Sequence, residues 1–160
     1  AKAKPRSSWS KAEGERPLAA TGTRQAQAVS RLLHAWKPPR VVTSPWLRCV
    51  ATVAPYAKAA GAKVKLVEAL TEHRHERSPK KTAAVIEALF DKQRPVAVCT
   101  HRPALPTVFG QLARHMPPHL RALLPAKEPY LSPGEMVVCH VAPGGRRQIV
   151  AVEQFKPFDD

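Results

Sequence analysis

Two segments of the chain each place a cation where an apolar run gives way to a helical pattern. In "VVTSPWLRCVATVAPYA" the buried strand 41–44 is followed by Ser44-Pro45, which predicts an N-cap and a proline in the first helical turn. Arg48 lies four residues after Ser44, so both side chains leave the same face of that turn. In "VAVCTHRPAL" the strand 96–100 runs into His101 just before a helix that starts after Pro103. Ligands of open parallel sheets bind beyond the carboxyl ends of the strands, where helix N-termini also point. An arginine fork, an imidazole and free backbone N–H groups at one such edge make an anion pocket suited to a phosphoryl group. A strand-end histidine can also be hydrogen-bonded packing; the matching position of Arg48 is what favours a site.

The elements that must carry these residues follow from periodicity. Ala26, Val29, Leu33 and Trp36 share one helical face, which predicts a helix over 22–36 that "KPPR" stops. The helix after Ser44-Pro45 runs to Gly61, and "KVKLVEAL" (63–70) alternates as a strand does. "TEHRHERSP" reads as a charged loop. Ser78-Pro79 repeats the capping signal before a helix through "KKTAAVIEALFDK". A Pro-rich stretch over 117–133 has room for one short helix, "HLRALL", and "EMVVCHVA" with "QIVAVEQF" around "PGGRR" predicts an antiparallel hairpin. Strands alternating with helices imply an α/β three-layer sandwich with a mainly parallel sheet, as a single domain over 1–160. The helix at 22–36 lacks an apolar run before it, so the first strand is expected upstream of Ala1.

Composition limits the partners. The net charge is +14, from 26 Lys and Arg against 12 Asp and Glu, so anions are attracted at long range. Nucleic acid and small phosphorylated ligands both satisfy that charge. The basic residues are scattered, and no basic helix, aromatic platform or recognised motif argues for nucleic acid. No apolar run reaches the ~20 residues of a membrane span. Cys49, Cys99 and Cys139 sit in apolar company without C-x-x-C spacing, which reads as reduced core thiols and a cytoplasmic setting.

"ERPLAATGTRQAQAV", "VVTSPWLRCVATVAPYA" and "VAVCTHRPAL", in this order, resemble the histidine phosphatase superfamily, in its short phosphohistidine-phosphatase-like branch. The form they look most like is the C-terminal half of a MutT-like two-domain Nudix hydrolase. Ala1-Lys2-Ala3 is similar to the residues that come directly after that family's Arg-His pair, so the resemblance implies a first strand and a nucleophilic histidine before Ala1. It further implies that Arg48 and His101 hold the phosphoryl oxygens, and that a carboxylate, Glu72 with Glu76 behind it, protonates the leaving oxygen. The implied function is a metal-independent phosphohydrolase with a phosphohistidine intermediate and no cofactor in this domain. An upstream Nudix half would use Mg²⁺ on nucleoside polyphosphates, including oxidised guanine nucleotides and dinucleoside polyphosphates. The fragment alone would then be inactive.

The remaining candidates carry bland readings beside sharp ones. Glu72 and Glu76 also fit a solvated loop with His73, Arg74, His75 and Arg77, whose cations oppose a metal site at His73-x-His75. Lys2, Lys4 and Arg6 either guide phosphate tails or form a mobile basic arm. Gly22 permits a tight approach or marks a plain turn. Arg102 faces solvent or a capping partner, and His34, His115, His119 and His140 read as structural. The alternative to an enzyme is a phosphate-binding module that docks on the Nudix domain without turnover.

Overall fold

The apolar stripe of Ala26, Val29 and Leu33 forms the first long helix, α1 (Ala20–Leu33), in the computed structural model, which describes residues 1–158. It ends before the expected Trp36. The Lys37 N–H folds back onto the Leu33 carbonyl at 3.0 Å, with φ of 46°, and the Trp36 ring packs against Phe155 instead, centroids 5.3 Å apart.

Three short parallel strands follow: β1 (Arg40–Thr43), β2 (Lys63–Leu66) and β3 (Val96–Cys99), in the order β2-β1-β3. Thr43 pairs with both Leu66 and Cys99, so the three carboxyl ends finish level. β1 is central because Val41, Val42 and Thr43 are all buried, as a strand covered on both faces requires. β2 is exposed at all four positions, and its two lysines suit an edge. The expected strand 63–70 is thus cut short: the chain turns at Glu68–Leu70 and buries Leu70 completely.

Helix α2 (Leu47–Ala60) ends at Gly61, which takes a left-handed φ of 64°. Ser44 does not cap it. Trp46 is still extended and holds the cap position without a side-chain bond, because the chain stays non-helical through Pro45-Trp46. The expected charged loop contains a one-and-a-half-turn helix, α3 (Glu72–Arg77). Thr71 Oγ1 accepts the Arg74 N–H at 3.1 Å, with acid in the first turn and base in the last, as the helix dipole favours. Helix α4 (Pro79–Leu89) starts at Pro79, as the sequence predicts, although the Ser78 side chain makes no capping bond. A 3-10 turn at Arg102–Ala104 precedes α5 (Leu105–Ala113), and α6 (Pro118–Arg121) is a single turn, shorter than the expected 119–124. Strands β4 (Met136–Val141) and β5 (Ile149–Phe155) form the expected antiparallel hairpin.

Helices cover both faces of the parallel sheet. Val29, Leu33, Val53 and Tyr56 of α1 and α2 pack on Val41, with Ala97 and Cys99 of β3 beside them. Ile86 of α4 and Val108 and Phe109 of α5 make a second cluster, which Val137 of β4 joins. The three cysteines are free thiols.

Among the described residues no strand precedes α1. Residues 1–19 instead hold two one-turn 3-10 helices, Arg6–Ser8 and Glu13–Glu15, and an antiparallel bridge between Ala3 and Leu18. This segment is pinned to α1. The Ala19 N–H donates to the Lys2 carbonyl at 3.0 Å, and a Cβ on Gly22 would stand 1.9 Å from that same oxygen. Gly22 is therefore a close approach, not a plain turn.

Between β3 and β4 runs a trough of about 1140 Å³, bordered by Ala1, by Val96 to His101 and by Glu135 to Ala142. The β3 edge away from β1, and the β4 edge away from β5, carry no strand partner among the described residues. Val98, in the middle of β3, is 36% exposed.

Candidate functional site

The level carboxyl ends of β1 and β3 bring Arg48 and His101 together. Arg48 sits in the first turn of α2 and is only 7% exposed. Its Nη2 donates to Glu72 Oε1 at 2.8 Å and lies 3.2 Å from Glu13 Oε1, while Nη1 donates to the Glu13 carbonyl at 3.0 Å. The guanidinium lies over the Trp46 ring, 4.6 Å from its centroid, and the same indole packs against the His101 ring at 4.9 Å. Trp46 thus packs against both the Arg48 guanidinium and the His101 imidazole.

His101 follows β3 in extended backbone and is 5% exposed. Its Nε2 lies 2.8 Å from the fully buried Ser44 Oγ, and its Nδ1 lies 3.5 Å from Glu72 Oε1. Ser44 Oγ accepts the Trp46 N–H at 3.2 Å, which leaves its hydroxyl proton for Nε2. A proton on Nδ1 would face Glu72 Oε1 and leave Nε2 to accept the Ser44 hydroxyl. Burial, then the charges of Arg48 and Arg16, lower the His101 pKa to about 3. The ring is neutral at physiological pH. Cys49 Sγ lies 3.5 Å from Nε2 and donates to the Thr100 carbonyl. Hydrogen bonding to Cys99, with burial, pushes the Cys49 thiol up, so it stays protonated.

Glu72 enters from the first turn of α3, the helix that stands where the sequence predicts a loop. Glu76, one turn on, is exposed. The side chain of Lys2 is exposed at the trough, and its N–H donates to Gln25 Oε1 at 2.8 Å. His73 is exposed and His75 Nε2 pairs with Thr107 Oγ1 at 2.9 Å, so the two do not converge. Among the described residues His101 is the one histidine that meets Arg48.

The sequence reading missed Glu13 and Arg16; Arg6, expected either to guide phosphate tails or to form a mobile basic arm, is ion-paired to Glu13 and Glu72. Glu13 Oε1 lies within 3.3 Å of Arg6 Nε, 3.0 Å of Arg16 Nε and 2.6 Å of Arg16 Nη2. Arg16, 8% exposed, also donates to the Lys4 carbonyl at 2.6 Å. Arg6 Nη2 reaches Glu72 Oε2 at 2.7 Å. Burial pushes the Glu13 carboxyl up, but its bonds and charges to Arg16, Arg48 and Arg6 outweigh that and hold it below the ordinary carboxylate range. The one available signal was Arg16 within "ERPL", three residues from Glu13.

Three guanidiniums, two carboxylates and a neutral imidazole leave the cluster one charge positive. An α/β domain with buried cations gathered beyond the ends of parallel strands is an anion-binding scaffold of the phosphatase kind. Residues 5–94 match the histidine phosphatase superfamily (branch 1), and the chain belongs to that superfamily. Solved structures agree on the fold. The protein histidine phosphatase SixA complexed with tungstate has a TM-score of 0.68 at 19% identity, over 97% of this chain and 91% of that one. A putative phosphohistidine phosphatase SixA from Nakamurella multipartitia gives 0.67 at 20%, over 96% and 90%. Another from Agrobacterium tumefaciens gives 0.58 at 21%, over 79% of each chain. None of the curated proteins matches. No helix among the described residues is long and apolar enough to cross a membrane.

Proposed function

We propose that this domain is a metal-independent phosphohydrolase acting through a phosphohistidine, with Arg48, His101 and Ser44 gripping the transferred phosphoryl group. One observation carries the reading: Arg48 Nη2 and His101 Nδ1 both meet Glu72 Oε1, at 2.8 and 3.5 Å. A carboxylate oxygen in that position stands in for an oxygen of a tetrahedral anion. A loose, anionic transition state needs fixed positive groups in place beforehand, and these are held by burial, by the indole and by Ser44.

The nucleophile in this reading is a histidine just before Ala1, supported by the likeness of Ala1-Lys2-Ala3 to the segment after the family's Arg-His pair. Its nitrogen bonds to phosphorus as the P–O bond to the leaving group breaks, and Glu72 gives that oxygen a proton. Both Glu72 oxygens accept hydrogen bonds from arginines, so the proton arrives with the substrate. Water then cleaves the N–P bond, with Glu72 taking its proton. The same motif likeness supports an upstream Nudix half that uses Mg²⁺ on nucleoside polyphosphates, including oxidised guanine nucleotides and dinucleoside polyphosphates, and three free thiols support a cytoplasmic setting.

The alternative reading is a phosphate-binding module without turnover docked on such a partner domain. The residue before Ala1 separates the two: histidine favours the enzyme, any other residue the module. The pocket itself is tested with Arg48→Ala, which should weaken orthophosphate and vanadate binding at least tenfold, measured calorimetrically. An unchanged isotherm would remove the pocket, and duplex DNA competing better than orthophosphate at matched ionic strength would replace it with a nucleic-acid surface.

A further inference from the structure

Arg6 and Arg48 each bridge the same two carboxylates. Arg48 Nη2 reaches Glu72 Oε1 at 2.8 Å and Glu13 Oε1 at 3.2 Å. Arg6 reaches Glu72 Oε2 at 2.7 Å and Glu13 Oε1 at 3.3 Å. Arg16 then adds two more donors to Glu13 Oε1, at 3.0 and 2.6 Å. One oxygen shared by three guanidiniums is more donor capacity than a single carboxylate uses.

Glu13 is also the group best able to leave. Its side chain is 35% exposed, on a one-turn 3-10 helix that buries none of its residues. The arginine beneath it is fixed: Arg16 is buried and tied to the Lys4 carbonyl at 2.6 Å. Guanidinium forks hold phosphate oxygens in the geometry they use for carboxylate. Glu13 Oε1 and Glu72 Oε1 both lie within reach of one arginine nitrogen, so they are near neighbours, as are oxygens of two linked phosphoryl groups.

We propose that the Glu13 carboxylate keeps a second anion seat, beside the one formed by Arg48 and His101, and that the preferred ligand carries two linked phosphoryl groups. The substrate class is then a phosphoanhydride rather than an isolated monoester: one phosphoryl group lies at Arg48 and His101, and its neighbour displaces Glu13 onto Arg16 and Arg6. This rests on the reading of Arg48 and His101 as the phosphoryl grip.

Calorimetric titration of the 160-residue chain with inorganic pyrophosphate and with orthophosphate tests it, since binding needs no nucleophile. Pyrophosphate should bind at least tenfold more tightly. Arg6→Ala should bring that ratio to within threefold of one, and Glu13→Gln should tighten pyrophosphate severalfold by removing the competing carboxylate. Arg146→Ala controls for charge alone. It lies in the β4–β5 turn, where Gly145 meets Gln93 ahead of β3, at the opposite end of that strand from His101, and it should leave the ratio unchanged. Equal affinities for the two anions, a ratio that survives Arg6→Ala, or one that falls equally with Arg146→Ala would overturn the second seat while orthophosphate binding upholds the first. Failure of both anions to bind would remove the two seats together.

Discussion

A neutral imidazole buried in the field of two arginines carries a cost that pH exposes. The folded-state pKa of His101, about 3, lies below the ~6.5 of an unfolded chain, so the unfolded state takes up the proton first. The stability this group lends is complete above pH ~6.5 and drains away as pH falls toward 3, at up to ~1.4 kcal/mol per pH unit. Urea unfolding at pH 7.5 and pH 5 should show that loss in the wild type and a smaller one in His101→Asn. Equal losses would mean the ring is not held neutral. At this scale Arg48 and His101 were legible, because each follows a strand at a fixed short spacing. Glu13 and Arg16 were not, and Arg6 only as a choice between a phosphate guide and a mobile arm, because they come from irregular chain whose side-chain directions no periodicity announces.

Helix α1 and the segment ahead of it approach most closely at Gly22, which has only a hydrogen where a Cβ would clash. Gly22→Ala would put a methyl group 1.9 Å from a backbone oxygen that also accepts the Ala19 N–H at 3.0 Å. The segment must then move, losing that bond and the Lys2 N–H bond to Gln25. Overpacking costs ~1–3 kcal/mol and the better helix former returns ~1, so a net loss of up to ~2 kcal/mol is expected, with the Ala19 amide exchanging faster. Gly110 in α5 has nothing within 4 Å of its missing Cβ, so Gly110→Ala should stabilise by ~0.5–1 kcal/mol. Thermal melts of the pair should move in opposite directions; a common direction would refute the contact. The elements with long apolar stripes, such as α1 and α4, could be read from the sequence. The short α3 could not, because its six residues bury nothing and its only signal is the Thr71 cap.

Over the whole molecule, the +14 charge and the arginine cluster act on different ranges. The scattered charge attracts anions through a field that salt weakens, whereas in the proposed function the buried donors select among them at contact. The order of strands and helices was readable because each strand is a short run, apolar in β1 and β3 and alternating in β2, bounded by turn residues. The sheet's lateral order was not, since nothing local to β1 tells it to lie between β2 and β3.

Among the described residues, the trough beside β3 leaves a row of peptide groups without a strand partner. The Ser44 N–H takes the Cys99 carbonyl at 3.0 Å, and successive residues of a strand face opposite ways, so Ala97 and Cys99 spend their amides on β1 while Val96 and Val98 turn theirs to the empty side. One strand therefore wears two exchange rates. In deuterium the Val98 amide should be lost well before that of Cys99, one residue away, and any extended chain that came to lie along the row would slow it. Were Val98 already as slow as its neighbour, the row would have to be occupied.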